Sequence, residues 1–308
     1  MTLRVQSGFR ATRGARFLDP SVLARIDNLE LLARTVVDGF LHGLHRSPHL
    51  GLSLDFAEHR SYMPGDDIRR IDWKLYARTD RYYVKQFEAE TSANFLVLVD
   101  VSASMRFGSH QVSKLDYARY LAACLTFLSQ RQRDRVGCAT FDQDVVAYVP
   151  PSTRHLELVL HALDTAEAGR AGSLVEPLAR LGEKLSHRGI VVLVSDFYEE
   201  PERVMEAVKY LRFRGQDLIV FHVLDPVELA FPFESAASFR DLESGDSIPV
   251  VAPELADEYR ALVRAHCDAL SEGFTARQVD YTLLDTSQPL DHALFRYLSV
   301  REKAARVR

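Results

Sequence analysis

Asn94-Phe95-Leu96-Val97-Leu98-Val99-Asp100-Val101-Ser102-Ala103-Ser104 is the stretch on which the reading of this chain turns. Phe95–Val99 is an unbroken apolar run, too short for an ordinary helix and without polar alternation, as expected of a strand covered on both faces. It stops at Asp100, and hydroxyl residues follow at alternate positions. A second run of the same kind, Ile190–Val194, stops at Ser195-Asp196. Between the two runs, Leu115, Ala118, Ala122 and Leu125 mark a helix. Val136–Phe141 and Val145–Val149 read as strands around the polar turn Asp142-Gln143-Asp144, with helices near 154–166 and 174–187. Helix 200–213, strand 218–223, helix 253–271, strand 279–284 and helix 289–300 continue the rhythm. Strands alternating with helices predict an α/β fold, doubly wound around a mostly parallel sheet. Residues 231–251 break the alternation, and Glu243-Ser244-Gly245-Asp246 reads as the turn of a hairpin in an insertion.

Upstream, Asp19-Pro20 is an N-cap followed by a favourable first helical residue. Val22, Ile26, Leu29, Ala33, Val36, Phe40 and Leu44 then recur at helical spacing to about His45. Leu50, Leu52, Leu54 and Phe56 alternate as a strand does, and Tyr82–Phe87 is strand-like too. Residues 1–92 are therefore expected to form an N-terminal helix and small β extension, and residues 93–308 the main α/β domain. His42, His45 and His49 read as helix-end residues, because Pro48 breaks the spacing that a metal site would use.

Composition narrows the function. A net charge of −5 over 308 residues argues against a nucleic-acid binder, which would show a basic face. The longest apolar runs fall far short of the ~18 residues that span a bilayer. Three separated cysteines encode neither a disulfide framework nor a metal knuckle. A cytoplasmic protein is expected. None of the 15 glycines precedes Lys, and GxGxxG, GxSxG and HExxH are absent.

Candidate chemistry gathers at the strand ends, where ligands bind in open α/β sheets. Asp100, Ser102, Ser104, Ser173 and Asp196 offer two carboxylates and three hydroxyls. Such hard oxygen donors suit Mg²⁺, Mn²⁺ or Ca²⁺ better than zinc. The bland alternative is that the serines and Asp196 merely cap helices. An aspartyl phosphatase would need a second acid two residues after Asp100, and Ser102 stands there. A Mg²⁺-dependent hydrolase using Asp100, Asp196 and a metal-bound water remains the alternative to a non-catalytic binding site.

Asp-x-Ser-x-Ser after an apolar strand, a later hydroxyl loop and a strand-terminal Asp resemble the metal-ion-dependent adhesion site of von Willebrand factor A domains. Ser173 departs from the Thr usual in that family. A second motif runs Arg60-Ser61-Tyr62-Met63-Pro64-Gly65-Asp66-Asp67-Ile68-Arg69-Arg70-Ile71-Asp72-Trp73, continuing to Ala77-Arg78. With it, the whole chain resembles an uncharacterised bacterial family with a von Willebrand factor A-like domain. The resemblance implies a MoxR-type AAA+ ATPase and a protein client as partners, without nucleic acid. Many relatives carry two transmembrane helices before this motif, and the present chain is expected to be a soluble branch. Read physically, the motif is a scaffold: Pro64-Gly65 turns the chain, Asp66, Asp67 and Asp72 pair with Arg60, Arg69 and Arg78, and Trp73 packs. A docking surface is the competing use.

Overall fold

The computed structural model describes residues 19–45, 59–63, 71–85, 93–185, 187–212, 215–243 and 245–306. The expected first helix is two: α1 (Pro20–Leu23) and α2 (Leu29–His45). Local side chains make the break. Asp19 accepts the Ser21 N–H at 2.9 Å, and Asn28 accepts the Leu31 N–H at 2.8 Å, so each helix starts on its own cap. The expected strand at 50–56 lies outside the described residues.

A small unit follows, built from β1 (His59–Ser61), α3 (Trp73–Thr79) and β2 (Tyr83–Lys85), with β1 and β2 antiparallel. Asp72 caps α3 by accepting the Leu75 N–H at 3.1 Å. Trp73 departs from the packing expected of it. It is 57% exposed and meets Tyr76 edge-on at 6.1 Å instead of entering a core. Among the described residues, a seven-residue helix over a two-stranded ribbon offers little surface to bury an indole. Tyr76 stacks on Tyr82 at 4.5 Å, and Arg78 is exposed. Pro64, Gly65, Asp66, Asp67 and Arg69 lie outside the described residues, so their expected pairings are not described.

The main sheet has six strands in the order β10-β7-β6-β3-β4-β5. These are β3 (Asn94–Asp100), β4 (Arg135–Phe141), β5 (Val145–Ser152), β6 (Gly189–Ser195), β7 (Asp217–Leu224) and β10 (Asp280–Asp285). All neighbours are parallel except β4 and β5, which form a hairpin with two register shifts. β5, at the edge, carries Pro150 and Pro151.

Both faces are covered. Phe95, Val97 and Val99 point into one apolar cluster with α4 (Lys114–Arg131), α10 (Asp291–Arg306) and α2. Leu96 and Leu98 point into the other, with α6 (Val175–Lys184), α7 (Pro201–Arg212) and the distal part of α9 (Ala252–Ala276). The period-two alternation thus explains why every position of the run is apolar. α2 packs against α4 and α5 (Leu156–Asp164), and its Leu32, Ala33, Val36 and Val37 are wholly buried. The N-terminal helix thereby shares the core of the main domain.

The insertion is the expected hairpin. After β7 come α8 (Pro226–Ala230), β8 (Ala236–Arg240) and β9 (Ser247–Val251), the two strands antiparallel. Winding reverses at β3: α4 leads to β4 on one side, while the later strands add on the other. That reversal leaves a crevice above the carboxyl ends of β3 and β6.

Candidate functional site

Asp100 ends β3 and is 5% exposed. One carboxylate oxygen accepts the Ser102 N–H at 2.8 Å, and the other accepts the Ser195 hydroxyl at 2.6 Å. The Ser102 and Ser104 hydroxyls lie 3.0 Å apart. Ser102 precedes a 3-10 turn (Ala103–Arg106), yet its side chain makes no cap hydrogen bond. The capping explanation therefore fails for Ser102.

The loop holding Ser173 is stitched over this turn. Ala103 donates to the Arg170 carbonyl at 2.7 Å, and Gly169 donates to the Val101 carbonyl at 3.0 Å. Arg170 clasps buried Asp142 through two bonds of 3.0 and 3.1 Å. Gly172 is bare for a reason: a Cβ there would stand 2.8 Å from the Ser102 Cβ. The Ser173 hydroxyl donates to Glu176 at 2.7 Å, so Ser173 lines the cleft with its oxygen already engaged.

Asp196 lies just beyond β6, 2% exposed, and its Oδ2 accepts from Lys114 Nζ at 2.8 Å. It does not cap α7. The same ammonium donates to Glu228 at 2.8 Å and stands 4.5 Å from the centre of the Tyr198 ring. Lys114 is fully buried. Burial opposes its charge, but Asp196 and then Glu228 outweigh burial and hold its pKa above the ordinary value. For Asp100, burial and then the neighbouring Asp196 push the carboxyl up to about 7, against hydrogen bonds from Ser195 and Ser102.

The structure thus brings Asp100, Ser102, Ser104, Ser173 and Asp196 around one cleft of about 30 Å³, about one water's share of liquid volume. Glu199 and Glu243 also line it, while no Lys or Arg does among the described residues. Asp100, Ser102, Ser104 and Asp196 fit a small hard cation: two carboxylates and two hydroxyls converge, with a negative excess that the ammonium behind Asp196 only partly offsets. Ser173 could join after turning from Glu176.

Sequence reading missed Lys114, Glu199 and Glu243. Lys114 carried one signal: a lysine in a first helical turn opposes the helix dipole, so something else must hold it there. Its N-cap Ser113 and capping box with Asp116 give α4 an ordinary start. Glu199 and Glu243 stand in connections whose approach to the site depends on tertiary packing.

An Asp-x-Ser-x-Ser loop at the switch point of a doubly wound sheet, with one antiparallel edge strand, defines a von Willebrand factor A-like domain. The chain belongs to the family described as "Protein of unknown function DUF58", which matches residues 58–269. It is 32% identical over 254 residues to the uncharacterized protein Rv1480 of Mycobacterium tuberculosis, covering 80% of each chain. The uncharacterized protein Mb1516 of Mycobacterium bovis matches equally, at 32% over 254 residues and 80% of each chain. Among solved structures, the conserved hypothetical protein BatB of Bacteroides thetaiotaomicron is 17% identical with a TM-score of 0.49, over 68% of this chain and 99% of that one. The SpRpn10 VWA domain is 12% identical with a TM-score of 0.39, over 65% of this chain and 92% of that one.

Proposed function

We propose that this protein is a divalent-cation-dependent protein-binding adaptor, acting in the cytoplasm with a MoxR-type AAA+ ATPase in remodelling or maturing a client. The observation that carries the reading is the convergence of Asp100, Ser102, Ser104 and Asp196 on one small acidic cleft, where Ser102 makes no cap hydrogen bond. The ATPase and its client rest on the family resemblance alone. No helix among the described residues is long and apolar enough to cross a membrane.

A bound Mg²⁺ or Mn²⁺ would supply a Lewis-acidic position for a carboxylate of the partner. Asp100 and the two serines hold the β3 side of the site, and Ser195 fixes the second oxygen of Asp100. Lys114 fixes one oxygen of Asp196, which lines the cleft. Lys114 is a charged donor to two carboxylates and so is unsuited to act as a general base; the hydrolase alternative would fall to Asp100, Asp196 and a metal-bound water.

Thermal unfolding with added Mg²⁺ tests the site. A ligand that binds only the folded state adds about 2.7 kcal/mol at about a hundredfold excess over its Kd. Wild type should gain this and Asp100→Ala should not; equal gains would remove the site. Calorimetric titration with the MoxR-type ATPase in Mg²⁺ and in EDTA tests the partnership, and equal affinity in both would sink the cation dependence.

A further inference from the structure

We infer that the β8–β9 hairpin is a built-in competitor for this cleft, with the Glu243 carboxylate at its tip taking the place that a partner's carboxylate must win. The inference rests on the cation-binding reading above and adds a regulation that the reading does not contain.

The hairpin is firmly mounted. At its root, Asp225 is fully buried and accepts both the backbone N–H and the hydroxyl of Ser109, at 2.8 and 2.6 Å. Glu228, one turn on, shares the Lys114 ammonium with Asp196, so root and site hang on the same cation. Phe231, Phe239 and Tyr259 fasten the strands to α9, with ring centres 5.4 and 4.4 Å from Phe231. The tip is shaped as well. Asp241 donates to the Asp246 carbonyl at 2.8 Å, and Gly245 returns a bond to Asp241 at 3.0 Å with φ of +81°, a backbone that favours glycine. Asp241 also accepts the Glu243 N–H at 2.9 Å.

That shape delivers one oxygen to the cleft. Glu243 Oε1 accepts the Gly172 N–H at 3.2 Å. The point where a Gly172 Cβ would stand lies 3.6 Å from Glu243 Oε1 and 3.3 Å from the Ser102 hydroxyl. The carboxylate therefore borders the same space as a candidate cation ligand, and the missing Cβ keeps that space open.

The contact is also displaceable. Glu243 is exposed, and its one described bond to the body of the domain is long. It lines the cleft beside Asp196 and Glu199, acids whose like charge repels its carboxylate. A cation reverses that balance and draws the tip in. An incoming carboxylate then exchanges for one already in place, so the hairpin sets how acidic and how well positioned a partner must be.

The test uses the full chain, Glu243→Gln, and Glu234→Gln as a control acid of the same insertion, with Mn²⁺ and acetate as probes. Mn²⁺ affinity and the exchangeable waters on bound Mn²⁺ are read by water-proton relaxation, and backbone hydrogen exchange is followed across residues 236–251. Wild type and control should bind Mn²⁺ and slow exchange in the hairpin when they do. Glu243→Gln should bind roughly tenfold more weakly for loss of one charged ligand, carry an additional exchangeable water, and show no hairpin response. Acetate should displace water from it at lower concentration than from wild type. Equal affinity, water count and acetate dependence in Glu243→Gln and wild type would overturn the competitor and leave the cation site standing. Failure of wild type to bind Mn²⁺ would overturn both. The substituted side chain is exposed, so loss of folding does not enter.

Discussion

The carboxyl end of the central sheet and the β1–α3–β2 unit both carry distinctive sequence motifs, and several large side chains of the second unit stand exposed while the polar groups of the first are buried. At the sheet end, Asp100, Ser102, Asp196 and Lys114 are all at most 5% exposed, and each polar group is held by another. In the small unit, Trp73 is 57% exposed, Tyr82 47% and Met63 59%. The difference teaches that a motif's specificity and its burial are separate properties. One set of residues is fixed by the cost of leaving charge unpaired in a dry place; the other stands in water, where single substitutions perturb the fold little.

Substitutions can break that contrast. The largest effect is expected from Lys114→Met, which leaves Asp196 and Glu228 buried without their cation, a loss of about 3–5 kcal/mol in urea melts. Adding Glu228→Gln should recover part of it. A loss below about 1 kcal/mol would place the clasp among ordinary surface pairs. Next, Leu98→Ala, at a wholly buried position, should cost about 2–5 kcal/mol, whereas Trp73→Ala should stay within about 1 kcal/mol. Similar costs for the two would erase the distinction between the regions.

A pH series sharpens the contrast further. His222 lies fully buried in β7, its Nδ1 against the Tyr281 hydroxyl at 2.7 Å, and burial pushes its pKa down to about 3. The unfolded chain takes up the proton near the ordinary value, so this histidine's stabilisation is whole above about 6.5 and is lost as pH falls toward 3, by about 1.4 kcal/mol per unit. His222→Asn should flatten that limb; an unchanged acid slope would show that His222 is not its source. Asp72→Ala, which removes the cap of α3, should cost about 0.5–2 kcal/mol. A larger loss in melts would mean that Asp72 anchors more than its own helix.

Much of this was legible in the chain itself. Phe95–Val99 and Ile190–Val194 announced a sheet covered on both faces because each side of a two-faced strand must be apolar. The gathering of oxygen donors at one place was readable because strand ends are where open sheets present polar groups. What stayed hidden depends on packing between distant segments. Nothing in the periodicity of α2 says that it shares a core with α4, since an amphipathic helix shows that it has a partner without saying which. Glu243 reaches Gly172 across 71 positions of sequence, a meeting decided by how the insertion is mounted. Trp73 was expected to pack, but it is 57% exposed, and the described part of its small unit offers little interior to take it.

The prolines of β5 carry a consequence for how other chains can approach. Pro150 and Pro151 sit side by side in the edge strand, where neither offers an N–H for pairing, and the β4–β5 hairpin changes register twice. A neighbouring polypeptide that tried to prolong the sheet along this border would find an interrupted ladder. The border is thereby protected from strand-by-strand accretion.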